Sequence, residues 1–470
     1  MNNVSKLSPI QSIYPWREKK IKSMTQYHHV YLFVFVFTLV LCWSPLKLGA
    51  YFSPWIALTW YILSTKSTRS LVRLILLFVL WVVFTLPHLL FVPNFAYSSA
   101  LLTLLTYGSF LFILSTPTKP LAGKQLQRKI ERIVRWFVLV QGIIGIVQAI
   151  YGFSINRTFD VDNGDYVEGT IHLALTAERT FSNPMFAVNM AMLLLYLFPF
   201  VLIYRKDRFI FAIGLVSLIL ASVLHVLLFF AVAAVLAFIF YAPKILLYRR
   251  THFFVATMLL ISAISIYVLQ HNVSTISSFV KTTLNGNTPR AQIVLRTMSD
   301  MPVEYPLMPV IGLGPGQFSS RAGLIGTGMY FGSPNNPKPL PLLSPSMSKP
   351  FHDYLLDLWL SLQLSNSVNK TSTTYKPFFS WLSLFSEGGA VVFIIMLISV
   401  WRVLAYARKG DKDKKFQYYL NRLAFGTGVI FIFLLGMQEN YWEIPQAIFV
   451  GLLILKLQYA NIRYGASHSL

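Results

Sequence analysis

Long runs of apolar residues recur along the chain and are separated by polar segments. They lie near 28–45, 48–64, 72–92, 95–114, 133–153, 183–204, 209–222, 224–241, 253–270, 379–401, 423–438 and 445–460. A bilayer core needs about 20 mostly apolar residues per helix. The stretch 209–241 is too long for one helix, so we interpret it as two short helices that fold back near Ser222–His225. The pattern predicts an all-α, polytopic membrane bundle of about twelve transmembrane helices.

The charges between these runs predict the orientation of the bundle. If the N-terminus is cytoplasmic, the inner segments hold 29 lysines and arginines and 5 acids, a net charge of +24. The outer segments then hold 11 lysines and arginines and 12 acids, a net charge of −1. Cytoplasmic loops of membrane proteins carry the excess of lysine and arginine. We therefore expect both termini to be cytoplasmic. We also expect the first helix to be its own insertion signal, because no small-residue cleavage site follows it.

Composition narrows the class of protein further. The chain of 470 residues is 55% hydrophobic and 12% charged, against about 25% charged in soluble domains. The net charge of +23 lies in the inner loops, where it faces anionic lipid head groups, so we expect no nucleic-acid partner. The single cysteine, Cys42, rules out an intrachain disulfide. No phosphate-cradling glycine–lysine loop occurs, and we expect no metal and no cofactor.

Three regions follow from the spans. Residues 1–270 hold transmembrane helices 1–9, residues 271–378 form one large outer loop, and residues 379–470 hold helices 10–12. Loops as long as the second region are usually functional or disordered. A shorter, acid-rich outer segment covers 154–182. We therefore expect the chemistry at the outer boundary of the bundle.

The first candidate is the sequence that closes the shorter outer segment. Arg179 precedes Asn183 and Pro184, and asparagine followed by proline is typical of a helix start. Arg179 would then lie at the lipid interface and face outward. The alternative is an arginine that snorkels to lipid phosphate with no catalytic part.

The second candidate is a set of arginines and glycines in the large loop. Arg290 and Arg296 lie on a short helical stretch, and Arg321 follows within the same loop. The turn between them contains Gly312, Gly314 and Gly316, which would let the backbone approach another surface closely. Because guanidinium groups bind phosphate through a planar fork, the three arginines could form a diphosphate cradle. The alternative is a tight loop with solvated arginines.

The third candidate is the pair His352 and Asp353. A histidine next to a carboxylate can act as a base with an orienting partner. The alternative, slightly favoured by the sequence, is a solvated helix start with Asp353 near the N-terminal dipole.

The fourth candidate is Glu387, in the sequence Trp381-Leu-Ser-Leu-Phe-Ser-Glu-Gly-Gly389. A carboxylate at the rim of an apolar span is costly unless it is paired, so we expect Glu387 to meet one of the arginines. The ion pair could be structural, or it could orient the arginine for a ligand. Glu439 and Glu443, in the last outer loop, resemble ordinary solvated acids.

Taken together and in this order, these segments resemble the O-antigen polymerase and O-antigen ligase superfamily of bacterial envelope proteins. The four segments that carry the resemblance are RTFSNPMFA, PRAQIVLRTMSD, GLGPGQF and SWLSLFSEGGAVVF, which begin at 179, 289, 312 and 380. They resemble the family's arginine before an asparagine–proline helix start, its arginine-led loop helix, its glycine turn and its Leu-x-x-x-Glu-x-Gly helix entry.

The resemblance implies a metal-independent, inverting glycosyltransferase in the bacterial cytoplasmic membrane. Its donor would be a glycan on undecaprenyl diphosphate, and a flippase and a chain-length regulator would be its partners. The resemblance carries over Arg179, Arg290 and Arg321 as contacts to the diphosphate or the donor. With the candidates above, we predict as catalytic Arg290, Arg179, His352 and Glu387, and as substrate-binding Arg296, Arg321, Gly312, Gly314, Gly316 and Asp353. In ligases a histidine commonly precedes the glutamate–glycine entry by about nine residues, and Phe378 stands there instead.

The phenylalanine at the position of the ligase histidine favours a polymerase of lipid-linked repeat units. Either His352 replaces the missing histidine, or the ligase histidine is absent. A ligase that transfers finished glycan is the first alternative. The second is a twelve-helix transporter, although transporters usually place polar groups at mid-membrane and contain internal repeats, neither of which is evident here.

Overall fold

The computed structural model is helical throughout the residues that it describes and contains no β-strand among them. Those residues are 15–157, 166–172, 183–201, 204–241, 281, 285–286, 288–332, 336–364, 376–408 and 416–464. The predicted all-α class is therefore confirmed for these ranges.

Eighteen α-helices are numbered in chain order within these ranges. The bundle comprises α1 (Pro15–Cys42), α2 (Lys47–Thr65), α3 (Thr68–Phe91), α4 (Tyr97–Thr106), α5 (Gly108–Ser115), α6 (Lys124–Asn156), α7 (Asn183–Val201), α8 (Arg205–Leu220), α9 (Leu224–Tyr241), α16 (Ser380–Arg408), α17 (Phe416–Leu435) and α18 (Pro445–Tyr464). The large loop contributes α10 (Pro289–Leu295), α11 (Met301–Glu304), α12 (Met308–Ile311), α13 (Arg321–Gly326), α14 (Lys349–Tyr354) and α15 (Leu356–Leu364).

Eight of the described helices are long and apolar enough to cross a membrane, or nine if the bent pair α4–α5 is one span. Helix α2 is less apolar, and α8 has only 16 residues. Eleven of the twelve predicted runs coincide with a helix or with the bent pair. The twelfth, near 253–270, lies outside the described residues. The count of twelve and the orientation therefore stay predictions.

The predicted run 95–114 is broken in the middle. Helices α4 and α5 meet at Tyr107 and are bent by 55°. The side chain of Trp55 on α2 lies against the break: its Nε1 donates to the carbonyl of Leu104 at 3.2 Å. A Cβ on Gly108 would lie 3.1 Å from the same nitrogen, so glycine permits this close approach. The predicted break near 222 is confirmed: α8 ends at Leu220, Ser222 has a φ of 52°, and α9 begins at Leu224.

Two kinds of helix make up the bundle. Helix α18 is buried along almost its whole length, as is most of α7, so both lie at the centre. Helices α3 and α16 expose most of their apolar side chains. Within the centre, the Lys456 ammonium donates to the carbonyls of Ile113 and Thr116, both at 2.6 Å. It thereby satisfies carbonyl groups at the end of α5 that have no helical partner.

The large loop forms a second apolar core on one end of the bundle. Its buried side chains include Ile293, Met301, Phe318 and Phe351, which cluster with Val92 and Phe95 after α3 and with Leu382 on α16. Backbone hydrogen bonds join the two parts, such as Lys349 N to Pro93 O at 3.2 Å. We term the end of the bundle that the large loop covers the loop end. The α8–α9 turn and the 436–444 loop also lie there.

Candidate functional site

The 436–444 loop, between α17 and α18, is the centre of a buried polar cluster at the loop end. Ser380 and Trp381 at the start of α16 donate their backbone N–H groups to Glu439 O and Gly436 O at 3.3 and 3.1 Å. Trp442 Nε1 donates to Ile432 O at 2.6 Å. Glu439, Asn440 and Glu443 are all buried. The prediction that Glu439 and Glu443 are solvated acids is therefore wrong, because the large loop covers them.

Arg290 reaches this loop from α10. Thr288 caps the helix, since its hydroxyl accepts from Ala291 N at 3.1 Å, and Pro289 occupies the first turn. The Arg290 guanidinium lies 4.8 Å from the ring centroid of Phe379. It donates to the carbonyls of Met437, at 3.2 Å, and Gln438. Burial lowers the pKa of Arg290 to about 10, so the cation sits where water contributes little to its stability.

Arg321 forms a buried ion pair with Glu439. Arg321 Nη2 lies 2.8 Å from Glu439 Oε1, and the two side chains are 7% and 5% exposed. Lys376 Nζ approaches the same oxygen at 3.6 Å. Burial acts to raise the pKa of Glu439, but Lys376 and Arg321 outweigh it and lower the pKa to about 2. Glu439 is thus ionised and holds two cations together.

Glu443 occupies the other side of the same loop. One carboxylate oxygen accepts from the backbone N–H of Arg321, and the other accepts from Asn440 Nδ2 at 3.1 Å. Burial, followed by the negative charge of Glu387, raises the pKa of Glu443 to about 8. Two acids four residues apart therefore differ in charge state at neutral pH, since Glu443 is mostly protonated and Glu439 is not.

Glu387 holds the glycine turn of the large loop. Its carboxylate accepts the backbone N–H groups of Gly316, Phe318 and Ser320 at 2.7, 3.0 and 3.1 Å. Among the described residues no arginine pairs with Glu387, and three backbone donors hold its carboxylate instead; Arg179 lies outside those residues. These three bonds offset part of the cost of burying the carboxylate.

The glycine turn packs tightly, as predicted. Gly312, Gly314 and Gly316 have φ values of 80°, 92° and 75°. A Cβ at Gly312 would overlap the backbone of Glu387 on α16, and one at Gly316 would overlap that of Ser99 on α4. Positive φ and close backbone contact both require glycine here. The turn joins α4 to α16 and presents no open phosphate cradle within the described residues.

His225, at the α8–α9 turn, also enters the cluster. Its Nε2 lies 2.7 Å from the hydroxyl of Tyr441, in the 436–444 loop. The side chain is only partly buried. A partly exposed histidine next to a tyrosine hydroxyl and buried arginines can accept or pass a proton.

Three of the remaining sequence candidates lie elsewhere in the large loop. Arg296 donates to both carboxylate oxygens of Asp357, at 2.7 and 2.8 Å, and so ties α10 to α15. His352 Nδ1 lies 2.8 Å from Asp353 Oδ1, with the His352 side chain 67% exposed. Asp353 also pairs with Lys349 at 2.7 Å. The contacts of these residues run along the outside of the loop, not to the 436–444 loop.

Arg179 lies outside the described residues, although α7 begins at Asn183, as the asparagine–proline pattern predicts. No family model, curated protein or solved structure matches this chain. The site therefore rests on its own geometry: Arg290, Arg321 and Glu387 gather at the loop end.

Sequence reasoning missed His225, Lys376, Glu439, Tyr441 and Glu443. A signal for the two acids was present, because both flank apolar spans at 423–438 and 445–460. The argument applied to Glu387, that a carboxylate at the rim of a span needs a partner, applies equally to them. His225 carried a weaker signal, namely a polar residue at a predicted helix break.

Proposed function

We propose that the chain is an envelope polysaccharide polymerase of the bacterial cytoplasmic membrane. It would join glycan repeat units carried on undecaprenyl diphosphate into O-antigen, capsule or exopolysaccharide. In this proposal the bundle has twelve spans and the loop end faces outward. The supporting observation is the convergence of Arg290, Arg321 and Lys376 on the 436–444 loop, at one end of an apolar bundle. A lipid-linked diphosphate carries its charge at the same kind of boundary.

The chemistry fits a glycosyl transfer with a diphosphate leaving group. The hydroxyl of the acceptor glycan attacks the anomeric carbon, the bond from that carbon to the diphosphate oxygen breaks, and lipid diphosphate leaves. Negative charge develops on the diphosphate oxygens. Fixed cations in a water-poor site stabilise that charge without reorganising. Arg290 is fixed in this way by Phe379 and by the carbonyls of Met437 and Gln438.

The acceptor hydroxyl must also lose a proton. In this proposal His225 takes it, oriented by the hydroxyl of Tyr441, and general-base catalysis of this kind contributes about 10²–10⁴-fold. His352 is less suited to the role, since it lies on the outer surface of the large loop with Asp353.

The environment of Phe378 favours the polymerase over the ligase. Phe378 stands where the resemblance places the ligase histidine, and it is 2% exposed with its ring centroid 5.1 Å from that of Trp359. An apolar side chain packed in the second core cannot act as a base. The polymerase is therefore the better proposal.

Reconstitution with a lipid-linked oligosaccharide tests the function, with product length scored on a gel. Wild-type protein should give a ladder of polymer. Arg290→Ala and Arg179→Ala should abolish chain growth, and His225→Gln should slow it by about 10²–10⁴-fold. Arg408→Ala is the matched control, because Arg408 lies over the ring of Phe240 at 5.3 Å near the other end of α16.

Three outcomes would contradict the proposal. Wild-type chain lengths in both Arg290→Ala and Arg179→Ala would refute the site. A gene deletion that strands finished polymer on the carrier lipid, instead of leaving single repeat units attached, would indicate a ligase. Counterflow of substrate in proteoliposomes without new glycosidic bonds would indicate a transporter.

A further inference from the structure

The segment 293–310 of the large loop carries two apolar stripes. Ile293, Thr297, Met301, Tyr305 and Met308 recur every three or four residues and are buried, most of them in the second core. That stripe fixes the segment on the loop end. The spacing is the one that places side chains on one face of a helical run.

The second stripe points away from that core. Val303 lies near the end of α11, Leu307 in the turn that follows and Val310 on α12, and they are 83%, 48% and 54% exposed. The polar side of the segment lies between the stripes, where Glu304 pairs with Lys349. Apolar side chains exposed next to one another on the outside of a protein mark a contact with a membrane or with another protein.

This exposed stripe continues the apolar outer faces of α3 and α16. Leu313 N donates to Ser386 O at 2.8 Å, and Gly314 N donates to Glu387 O at 3.0 Å, so the end of the segment lies against the start of α16. The exposed face of α16 begins a few residues later with Val391, Ile394 and Ile395. On the other side, His88 Nε2 lies 3.2 Å from Ile311 O, next to Leu90, which is 86% exposed on α3.

We propose that Val303, Leu307 and Val310 lie in the acyl region of the membrane leaflet at the loop end, so that segment 293–310 is an interfacial anchor. The occupant of this surface is lipid, because residues 311–314 join it to the apolar outer faces of α3 and α16. Helices of this type bury their apolar face about 5–10 Å into the boundary between head groups and acyl chains. Arg290, at the start of the same helical run, would then be held at head-group depth. The proposal stands independently of any enzymatic activity.

Site-directed spin labelling in vesicles of phosphatidylcholine tests the anchor on the full-length protein. Cys42 is the only cysteine and is buried, so Cys42→Ser gives a background for single labels. Labels at Val303→Cys, Leu307→Cys and Val310→Cys are compared for access to oxygen, which partitions into lipid, and to a water-soluble nickel complex. Ile394→Cys on α16 is the lipid reference. Leu342→Cys is the water reference, since Leu342 is a fully exposed leucine in the large loop.

The three stripe labels should resemble Ile394→Cys and report a depth of about 5–10 Å below the phosphates. A label at Ser299→Cys, exposed on the polar side of the same segment, should resemble the water reference. If all three stripe labels resemble Leu342→Cys, the proposal is overturned. Spin–spin broadening that rises with the ratio of protein to lipid would also overturn it, because a second copy of the chain would then cover the stripe. Both results are read without any assay of polymer synthesis, so they do not depend on the proposed function.

Discussion

Two ion-paired clusters at the loop end have nearly the same distances but opposite surroundings. In the 436–444 loop, Arg321 and Glu439 lie 2.8 Å apart with side chains 7% and 5% exposed. On the outside of the large loop, Lys349 and Asp353 lie 2.7 Å apart with side chains 39% and 33% exposed. Distance alone therefore does not distinguish them. Burial does, because water screens the second pair and not the first.

The difference decides what each cluster can do. The pKa of Asp353 is lowered by its hydrogen bonds to Lys349 and His352. Both partners are largely solvated, so water screens the interaction between the charges. Around the 436–444 loop, burial pushes the pKa of Glu443 up to about 8 while Lys376 and Arg321 hold that of Glu439 near 2. Groups whose environments drive their pKa values apart are typical of functional sites.

The largest effect is expected when the buried pair is broken. Glu439→Gln removes the charge that holds Arg321 and Lys376, and stranding a buried cation costs about 3–5 kcal/mol. Arg321→Met should cost less, because Glu439 keeps Lys376 at 3.6 Å. The free energy of unfolding, or the unfolding temperature in detergent, measures both.

The double variant Arg321→Met with Glu439→Gln makes this comparison sharper. It removes one of the two stranded cations, so it should be less destabilised than the sum of the single variants. A Glu439→Gln protein that is as stable as Asp353→Asn would show that burial does not separate the two clusters.

The sequence predicted the helices well and the polar cluster only in part. Apolar runs identify helices because the bilayer imposes their length, and α1, α9 and α16 lie where their runs predict. The glycine turn was also predictable, since three glycines in five residues indicate positive φ and close backbone contact.

The polar contacts that depend on tertiary packing could not be predicted. The sequence predicts that Glu387 pairs with an arginine. In the described residues, backbone N–H groups of the segment 316–320 donate to its carboxylate instead. Glu439 and Glu443 were read as solvated because the covering segment lies more than a hundred residues earlier in the chain. His225 meets Tyr441 across 216 positions, a separation that no local pattern encodes.

The pH dependence of the free energy of unfolding also distinguishes the two clusters, with a smaller expected effect. The folded pKa of Glu443, about 8, is above its ordinary value of 4.5, so the folded protein binds this proton more tightly. Its contribution is therefore full below pH 4.5 and is lost as the pH rises through 8. The loss approaches one proton, about 1.4 kcal/mol per pH unit at most.

Glu443→Gln should flatten this loss of stability between pH 4.5 and 8, while Glu304→Gln, on the exposed side, should leave the wild-type slope. Glu439 contributes in the opposite direction, because its pKa of about 2 is below the ordinary value. Its contribution is present above pH 4.5 and is lost only in acid. An unchanged slope between pH 5 and 8 in Glu443→Gln would mean that Glu443 is already ionised in the fold.

The smallest effect is expected on the outside of the large loop. His352→Ala removes a side chain that is 67% exposed and whose hydrogen bond goes to Asp353, itself 33% exposed, so neither the unfolding temperature nor polymer length should change measurably. The comparison with His225→Gln is direct, since both variants remove one imidazole at the loop end. If His352→Ala abolished polymer synthesis while His225→Gln retained it, the base would lie on the exposed face of the large loop. The acceptor glycan would then meet the protein outside the 436–444 loop, and the buried arginines would have a structural role alone.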